Sequence, residues 1–305
     1  MRFSIWPSLS QPWTDALAAS RHAEATGWDG VYVADHFMGD GNAAGGPVTP
    51  MHEATAALAA LAATTERLRL GSLVFGITYR HPAVLANWAA TVDHISGGRL
   101  LLGVGAGWQV NEHEQYGIEL GPPGVRIDRF EEACAVLHGL LESPVTTVDG
   151  EHYRLTDALS EPKPVQRPLP LLIGGKGDRM LGVVARQADE WNIWSTAEHF
   201  AERSGALDRA CERHGRDPAS IARSTQALWF LTDDAATADR LIEKVAPRDA
   251  IGGPTERILD AVDAGLAPGA DGVDEVIVPD FTLGAGAEKL ERLDAIIETI
   301  APAFR

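Results

Sequence analysis

The sequence predicts an α/β protein, a (β/α)8 TIM barrel built as one domain over residues 1–305 with an insertion after strand four. Three observations point there. Eight short apolar runs recur along the chain, segments with helical spacing separate them, and 305 residues accommodate the ~250 typical of such a barrel plus insertions. A doubly wound open sheet is the competing arrangement of the same alternation.

The runs occupy residues 2–6, 30–34, 68–75, 99–105, 170–173, 190–194, 225–231 and 275–278. Parallel strands covered by helices on both faces are apolar at nearly every position, without the alternation of a half-solvated strand. After the first run, Thr14 is placed to cap a helix that stops at Gly27. After the third, Pro82 stands where a first helical position tolerates proline, and Gly97-Gly98 ends that helix. Beyond the fourth, Ile127, Phe130, Cys134, Leu137 and Leu141 share one face at steps of three and four, the pattern of a packing helix. Residues 143–167 read as loop, and the whole stretch 108–169 is expected to extend the catalytic rim. A terminal helix repeats the packing pattern with Leu290, Leu293, Ile296, Ile297 and Ile300. The Gly- and Pro-rich residues 39–50 (GDGNAAGGPVTP) read as a mobile loop and candidate lid.

Composition narrows the function classes. With 26 basic against 43 acidic residues the formal charge is -17, which argues against nucleic acid or an anionic membrane surface as partner. An anionic ligand needs a local electropositive site. Cys134 and Cys211 have no partner at a metal or redox spacing and are expected to be buried thiols. The N-terminus MRFSIWPSLSQPW lacks a signal-peptide core, and no apolar stretch approaches the ~20 residues of a membrane span. A cytoplasmic setting is the expectation.

On a barrel the chemistry lies at the C-terminal ends of the strands. Strand two ends in Asp35-His36-Phe37, strand three in residues 73–76, strand four in GAGW with Asn111 following, and strand five in Gly174-Gly175-Lys176-Gly177. The last is a Gly-rich turn opening a helix near Asp178. It offers backbone N–H groups and a positive dipole end to an anion, with Lys176 and Arg179 adding charge; a turn that merely needs glycine is the plainer account. The segment GVGAGW at 103–108 lacks the third glycine of a dinucleotide fingerprint and comes from the wrong strand. Close approach of a bound ring is the expected reason for its glycines, and tight barrel packing is the alternative. Asp35-His36 suits acid–base work because histidine titrates near neutrality and a neighbouring carboxylate can raise its pKa. His94, His113, His138 and His214 are expected to be solvated. No HxH, HExxH or GxSxG pattern occurs, so no metal site or serine nucleophile is expected.

Four ordered blocks carry a family resemblance: GWDGVYVADHF at 27–37, ERLRLGSLVFGITYRHPAVLAN at 66–87, TVDHISGGRLLLGVGAGWQVNEHEQYGI at 91–118, and EPKPVQRPLPLLIGGKGDRMLGVVARQADEWN at 161–192. With these the chain resembles the luciferase-like monooxygenase superfamily, and within it the branch dependent on the deazaflavin coenzyme F420. The resemblance implies a barrel mouth holding a flavin-class ring, ribityl chain and phosphate. It places Asp35 and His36 beside the reactive ring, with His36 the candidate for proton transfer. It further implies that Asn111 contacts the coenzyme, that Gly174 to Gly177 with Lys176 and Arg179 hold the phosphate, and that Leu73 and Val74 back the ring across a non-prolyl cis peptide. Two departures stand out. Trp108 replaces the acidic residue of the family's sugar-phosphate dehydrogenases, and Asp178 puts a negative charge beside the phosphate turn.

The expected function is hydride transfer between F420 and a small, uncharged organic substrate, the substrate being the only partner expected and a homodimer left open. The alternatives are an FMN-dependent monooxygenase on the same fold and a non-catalytic coenzyme-binding protein.

Overall fold

The computed structural model describes residues 1–39, 49–246, 248–266 and 272–305. Eight parallel strands form the barrel: β1 (Arg2–Trp6), β2 (Gly30–Val33), β3 (Arg69–Ser72), β4 (Leu100–Gly105), β5 (Leu171–Gly174), β6 (Glu190–Trp194), β7 (Ala222–Gln226) and β8 (Glu275–Pro279). Each pairs with its neighbour in sequence and β1 pairs with β8. Between β3 and β4 Leu70 lies against Leu100 and Gly71 against Leu101. Residues 73 and 74 then leave the ladder, and Phe75–Gly76 rejoins β4 opposite Val104 and Gly105. The Leu73–Val74 peptide is cis, where the resemblance placed it.

The helices are α1 (Trp13–Thr26), α2 (Ala54–Thr64), α3 (Pro82–Ser96), α4 (Val110–Tyr116), α5 (Pro123–Glu142), α6 (Asp178–Gln187), α7 (Ala197–Arg213), α8 (Ala235–Val245), α9 (Thr255–Leu266) and α10 (Gly286–Ala295). Several boundaries follow the sequence signals. Gly27 and Gly97 take left-handed φ of 86° and 68° and close α1 and α3, and Pro82 opens α3. Thr14 does not cap α1: it lies inside the helix, whose start at Pro12 has no side-chain cap. Phe130, Cys134, Leu137 and Leu141 are buried on α5, while Ile127 is half-buried at the barrel mouth.

Alternation of side chains splits the core in two. The outward residues of the strands pack with the helices in one large apolar shell. Inside, a small cluster of Trp6, Tyr32, Ala34, Leu73, Leu101, Leu172 and Ile277 fills the barrel. Its floor is ionic. Arg69 bridges Glu190 and Glu275, with the Nη1 to Glu275 Oε2 distance at 3.1 Å, and Ser4 donates to Glu275 Oε1 at 2.5 Å. Buried charges of this kind persist only when paired.

Three expectations require correction. The apolar run 225–231 is two strands: β7 is in the barrel, while Leu228–Leu231 pairs with Ala250–Gly253 in a separate two-stranded sheet. A β-strand at 250–253 escaped notice because two glycines interrupt its apolar pattern. Residues 143–167 are not all loop, since Thr146–Asp149 and Arg154–Ala158 form an antiparallel hairpin. Glu132 of α5 accepts the N–H groups of Glu151, His152 and Tyr153, so the hairpin packs on α5, and none of its residues lines the cleft described below. His113 is buried, held by Gln109 O and Thr78 Oγ1 at 2.6 and 2.8 Å. The proposed lid lies for the most part outside the described residues. Cys134 and Cys211 are buried and free. Among the described residues no helix is long and apolar enough to cross a membrane.

The tightest point of the barrel is Gly103, where a Cβ would stand 1.9 Å from the Ser72 carbonyl oxygen. Neither strand can withdraw without opening the seam between β3 and β4. Gly103→Ala is therefore expected to destabilise the protein by about 3 kcal/mol or more, read as a lowered midpoint in urea denaturation. A midpoint equal to wild type would contradict this packing.

Candidate active site

The C-terminal ends of the strands surround a cleft of about 750 Å³. Asp35 and His36 enter it from the end of β2, Leu73 and Val74 from the break in β3, and Gly174 to Gly177 from the turn after β5. The segment after β4 contributes Ala106 to Trp108, and the start of α5 contributes Pro123, Arg126 and Ile127, so the strand-four insertion does extend the rim. The opposite wall uses Trp194, Gln226, Arg248 and Asp249. Asp280, just after β8, forms a buried pair with Lys289 at 2.6 Å and is not part of the lining.

Asp35 is 2% exposed. Arg80 grips both of its oxygens, Nη1 to Oδ2 at 2.6 Å and Nη2 to Oδ1 at 2.9 Å, and Gly76 N–H donates to Oδ2 at 2.9 Å. Burial raises the Asp35 pKa above the ordinary carboxyl range, and the hydrogen bonds and charge of Arg80 offset this only in part. Arg80 also reaches Glu53 at 2.5 Å and stacks over Phe75 at 5.4 Å. The carboxylate next to His36 in the chain is thus occupied elsewhere.

His36 has a different partner. Its Nδ1 lies 2.8 Å from Glu112 Oε1, and its ring meets the edge of Trp108 at 5.5 Å. Tyr79 Oη donates to the same Glu112 oxygen, and Phe37 N–H donates to Oε2 at 2.8 Å. Burial works against the ionised form of Glu112, yet the hydrogen bonds from His36, Tyr79 and Phe37 leave its pKa below the usual carboxylate range. The Tyr79 hydroxyl is pushed far up by burial and by this carboxylate.

The glycine turn leads from β5 into α6 as expected. Gly177 stands at the helix N-cap with no side chain capping the first turn, and a Cβ there would meet nothing within 4 Å. Gly175 has φ +146°, a conformation that favours glycine. Lys176 is exposed at the cleft. Asp178 pairs with Arg203 at 2.5 Å, which offsets the negative charge flagged beside the turn. Arg179 is not in the lining: it binds Gly124 O at 3.0 Å and pairs with Asp128. Asn111 is also outside, its amide donating to Gly39 O at 3.1 Å. The glycines of GVGAGW serve packing first. Cβ atoms at Gly105 and Gly174 would stand 2.6 and 3.1 Å from Val74, and Gly107, with φ +82°, fits beside Thr78.

Eight of the ten expected cofactor residues line the cleft, Asp35, His36, Leu73, Val74, Gly174, Gly175, Lys176 and Gly177. The sequence reading missed Glu112, Tyr79 and Arg80. Glu112 looks like any acidic residue on a short helix, and its contacts to His36 and Tyr79 lie 76 and 33 residues away. No local spacing reports such a cluster. Among the described residues no group of three or more His, Cys, Asp or Glu side chains is arranged to hold a metal ion.

The chain has relatives among known proteins. The family model described as luciferase-like monooxygenase matches residues 1–299. An F420-dependent glucose-6-phosphate dehydrogenase of Beutenbergia cavernae is 35% identical over 179 residues, 57% of this chain and 51% of that protein. The pyrimidine monooxygenase of Escherichia coli is 33% identical over 188 residues, 59% and 51% of the two chains. The chain therefore spans about half the length of these curated relatives. Among solved structures, an F420-dependent secondary alcohol dehydrogenase in complex with an F420–acetone adduct superposes with a TM-score of 0.85 at 19% identity, covering 100% of this chain and 99% of the other. That likeness shows the shared barrel fold.

Removing the cation of the Asp35 pair should expose how strongly the mouth depends on it. Arg80→Met leaves a buried carboxyl without its partner, a change worth about 3 to 5 kcal/mol. Because burial raises the folded pKa of Asp35, the variant is expected to be least destabilised at acid pH, where the carboxyl is protonated in both states. The deficit should grow as pH rises through the folded pKa. Denaturation midpoints at acid and neutral pH check this; a deficit that shrinks with rising pH would contradict it.

Proposed function

The chain belongs to the luciferase-like monooxygenase family, and from that premise we propose that it is an oxidoreductase using coenzyme F420 to move a hydride to or from a small, uncharged organic substrate. The observation that carries this reading is the content of one cleft. A titratable imidazole, His36, shares it with an apolar wall at Leu73 and Val74 and with the uncapped start of α6. These are the features that a flat ring with a phosphate-bearing tail and a proton-coupled redox reaction require.

Bound in the cleft, the coenzyme supplies the carbon centre that accepts or releases the hydride. The protein supplies the rest. Lys176 and the N–H groups at Gly177 and the first turn of α6 hold the phosphate, and open space at the Gly177 Cα lets it approach. Val74, seated between the two glycines 105 and 174, forms the surface that the ring lies on together with Leu73. Asp35 acts through the backbone it fixes, since its oxygens are taken by Arg80 and Gly76. His36 takes or gives the proton that accompanies the hydride at a hydroxyl or carbonyl oxygen. Trp108, 59% exposed, offers an apolar face beside His36 in place of a carboxylate and favours an uncharged substrate over a sugar phosphate.

The cofactor class is tested by soaking the purified protein with F420 or FMN and measuring the absorbance retained after gel filtration. Retention of F420 is expected, and retention of FMN alone would move the chain to oxygen-using chemistry. Gly177→Val should weaken coenzyme binding by roughly tenfold or more, and unchanged affinity in a folded variant would count against the phosphate site. His36→Ala should lower turnover by about 100- to 10,000-fold with coenzyme binding kept; wild-type turnover would remove His36 from the reaction.

A further inference from the structure

Glu112 is fully buried and belongs to α4, a helix that reaches the cleft only through other residues. Its two oxygens receive three protein groups: His36 Nδ1 and Tyr79 Oη at Oε1, and Phe37 N–H at Oε2. An ionised carboxylate can only accept hydrogen bonds. The His36 nitrogen facing it must therefore carry the proton, and the neutral ring then holds its lone pair on Nε2. His36 itself lines the cleft.

We propose that Glu112 is the positioning residue of this site, holding His36 in the Nδ1–H tautomer so that Nε2 is the basic atom presented to substrate, with Tyr79 locking the carboxylate in place. This assignment rests on the reading of His36 as the proton-transfer group. A carboxylate behind an imidazole also stabilises the ring once it is protonated, a role known to fix tautomer and charge together.

The surrounding groups leave Glu112 without a rival. Asp35, adjacent to His36 in the chain, has both oxygens on Arg80 and one also on Gly76 N–H, and Glu53 lies on the far side of Arg80. The Tyr79 ring is packed between Phe37, at 4.9 Å, and His113, at 4.8 Å, and the His113 nitrogens are held by Gln109 O and Thr78 Oγ1. Gln109 also donates to Met38 O at 2.8 Å, so the start of α4 is joined to the segment after β2 at Phe37 and Met38 as well as at His36. Burial works against the charge on Glu112, and the hydrogen bonds from His36, Tyr79 and Phe37 N–H outweigh it, leaving the pKa below the usual range. A carboxylate that served packing alone would not need to meet two side chains that both line the cleft.

The test uses the full chain without coenzyme, labelled with 15N at histidine, in alkaline buffer where the ring is neutral. Wild type is expected to show one His36 signal set with Nδ1 protonated and Nε2 bare. Glu112→Gln, which keeps the shape but can donate as well as accept, is expected to show a mixture or a reversal of tautomers at an unchanged melting temperature. Tyr79→Phe keeps the carboxylate and is expected to shift the tautomer ratio less. A wild-type His36 protonated at Nε2, or a Glu112→Gln spectrum identical to wild type, would overturn the assignment. In the loaded enzyme Glu112→Gln is expected to lower kcat by roughly 10- to 1,000-fold with KM and coenzyme affinity kept, and Glu112→Asp to recover part of the loss. A tautomer change with wild-type kcat would overturn the positioning role. Absence of F420-dependent turnover in wild type would instead overturn the proposed function, and the spectra would still decide the tautomer.

Discussion

Asp35 ends β2 with its carboxylate withdrawn from water, and a carboxylate in that position must be paired or neutralised. Arg80 meets both oxygens and Gly76 donates to one of them, so a single side chain ties the end of β2, the far side of the break in β3 and the approach to α3. The break is where the barrel wall becomes part of the cleft lining. Residues 73 and 74 leave the ladder there, and Phe75–Gly76 can resume pairing with β4 because the Asp35 pair draws the chain back.

The same pair divides labour between two acidic groups. With Asp35 committed to Arg80, His36 turns to Glu112 on α4, a residue delivered by the insertion after β4. The insertion is therefore more than an extension of the rim. Its first helix brings the carboxylate behind the histidine, and the start of its second lines the cleft beside Trp108. Placing the site on strand ends and on a helix braced by buried hydrogen bonds limits how far His36 can swing, which suits a group whose orientation matters to its chemistry.

The barrel interior shows a parallel economy of charge. At the floor Arg69 balances Glu190 and Glu275, and above it an apolar layer separates those charges from the mouth. The glycines of β4 and β5 belong to this packing: Gly103 yields to the Ser72 carbonyl, and Gly105 and Gly174 yield to Val74. Val74 can face the cleft only because no Cβ stands on either side of it. The shape of the proposed ring site thus follows from strand packing.

The sequence by itself determined the alternation of strands and helices and most element boundaries, because apolar runs, helix stripes and glycine or proline punctuation are local signals whose spacing survives in the chain. Closure of the sheet was expected from chain length and the family resemblance, and the structure shows it. It also determined that Asp35, His36 and the Gly174–Gly177 turn would converge, since every barrel strand points its C-terminal end at the same mouth. The strand at Ala250–Gly253 and the 146–158 hairpin were less legible, their patterns being short, glycine-interrupted or polar. Only the tertiary structure decided which carboxylate serves His36, turned Arg179 and Asn111 away from the cleft, and gave the β4 glycines to packing. Adjacency in sequence favoured Asp35, but hydrogen bonds depend on where side chains end in space. Glu112 reaches His36 across 76 positions through a helix whose own pattern carries no mark of its partner.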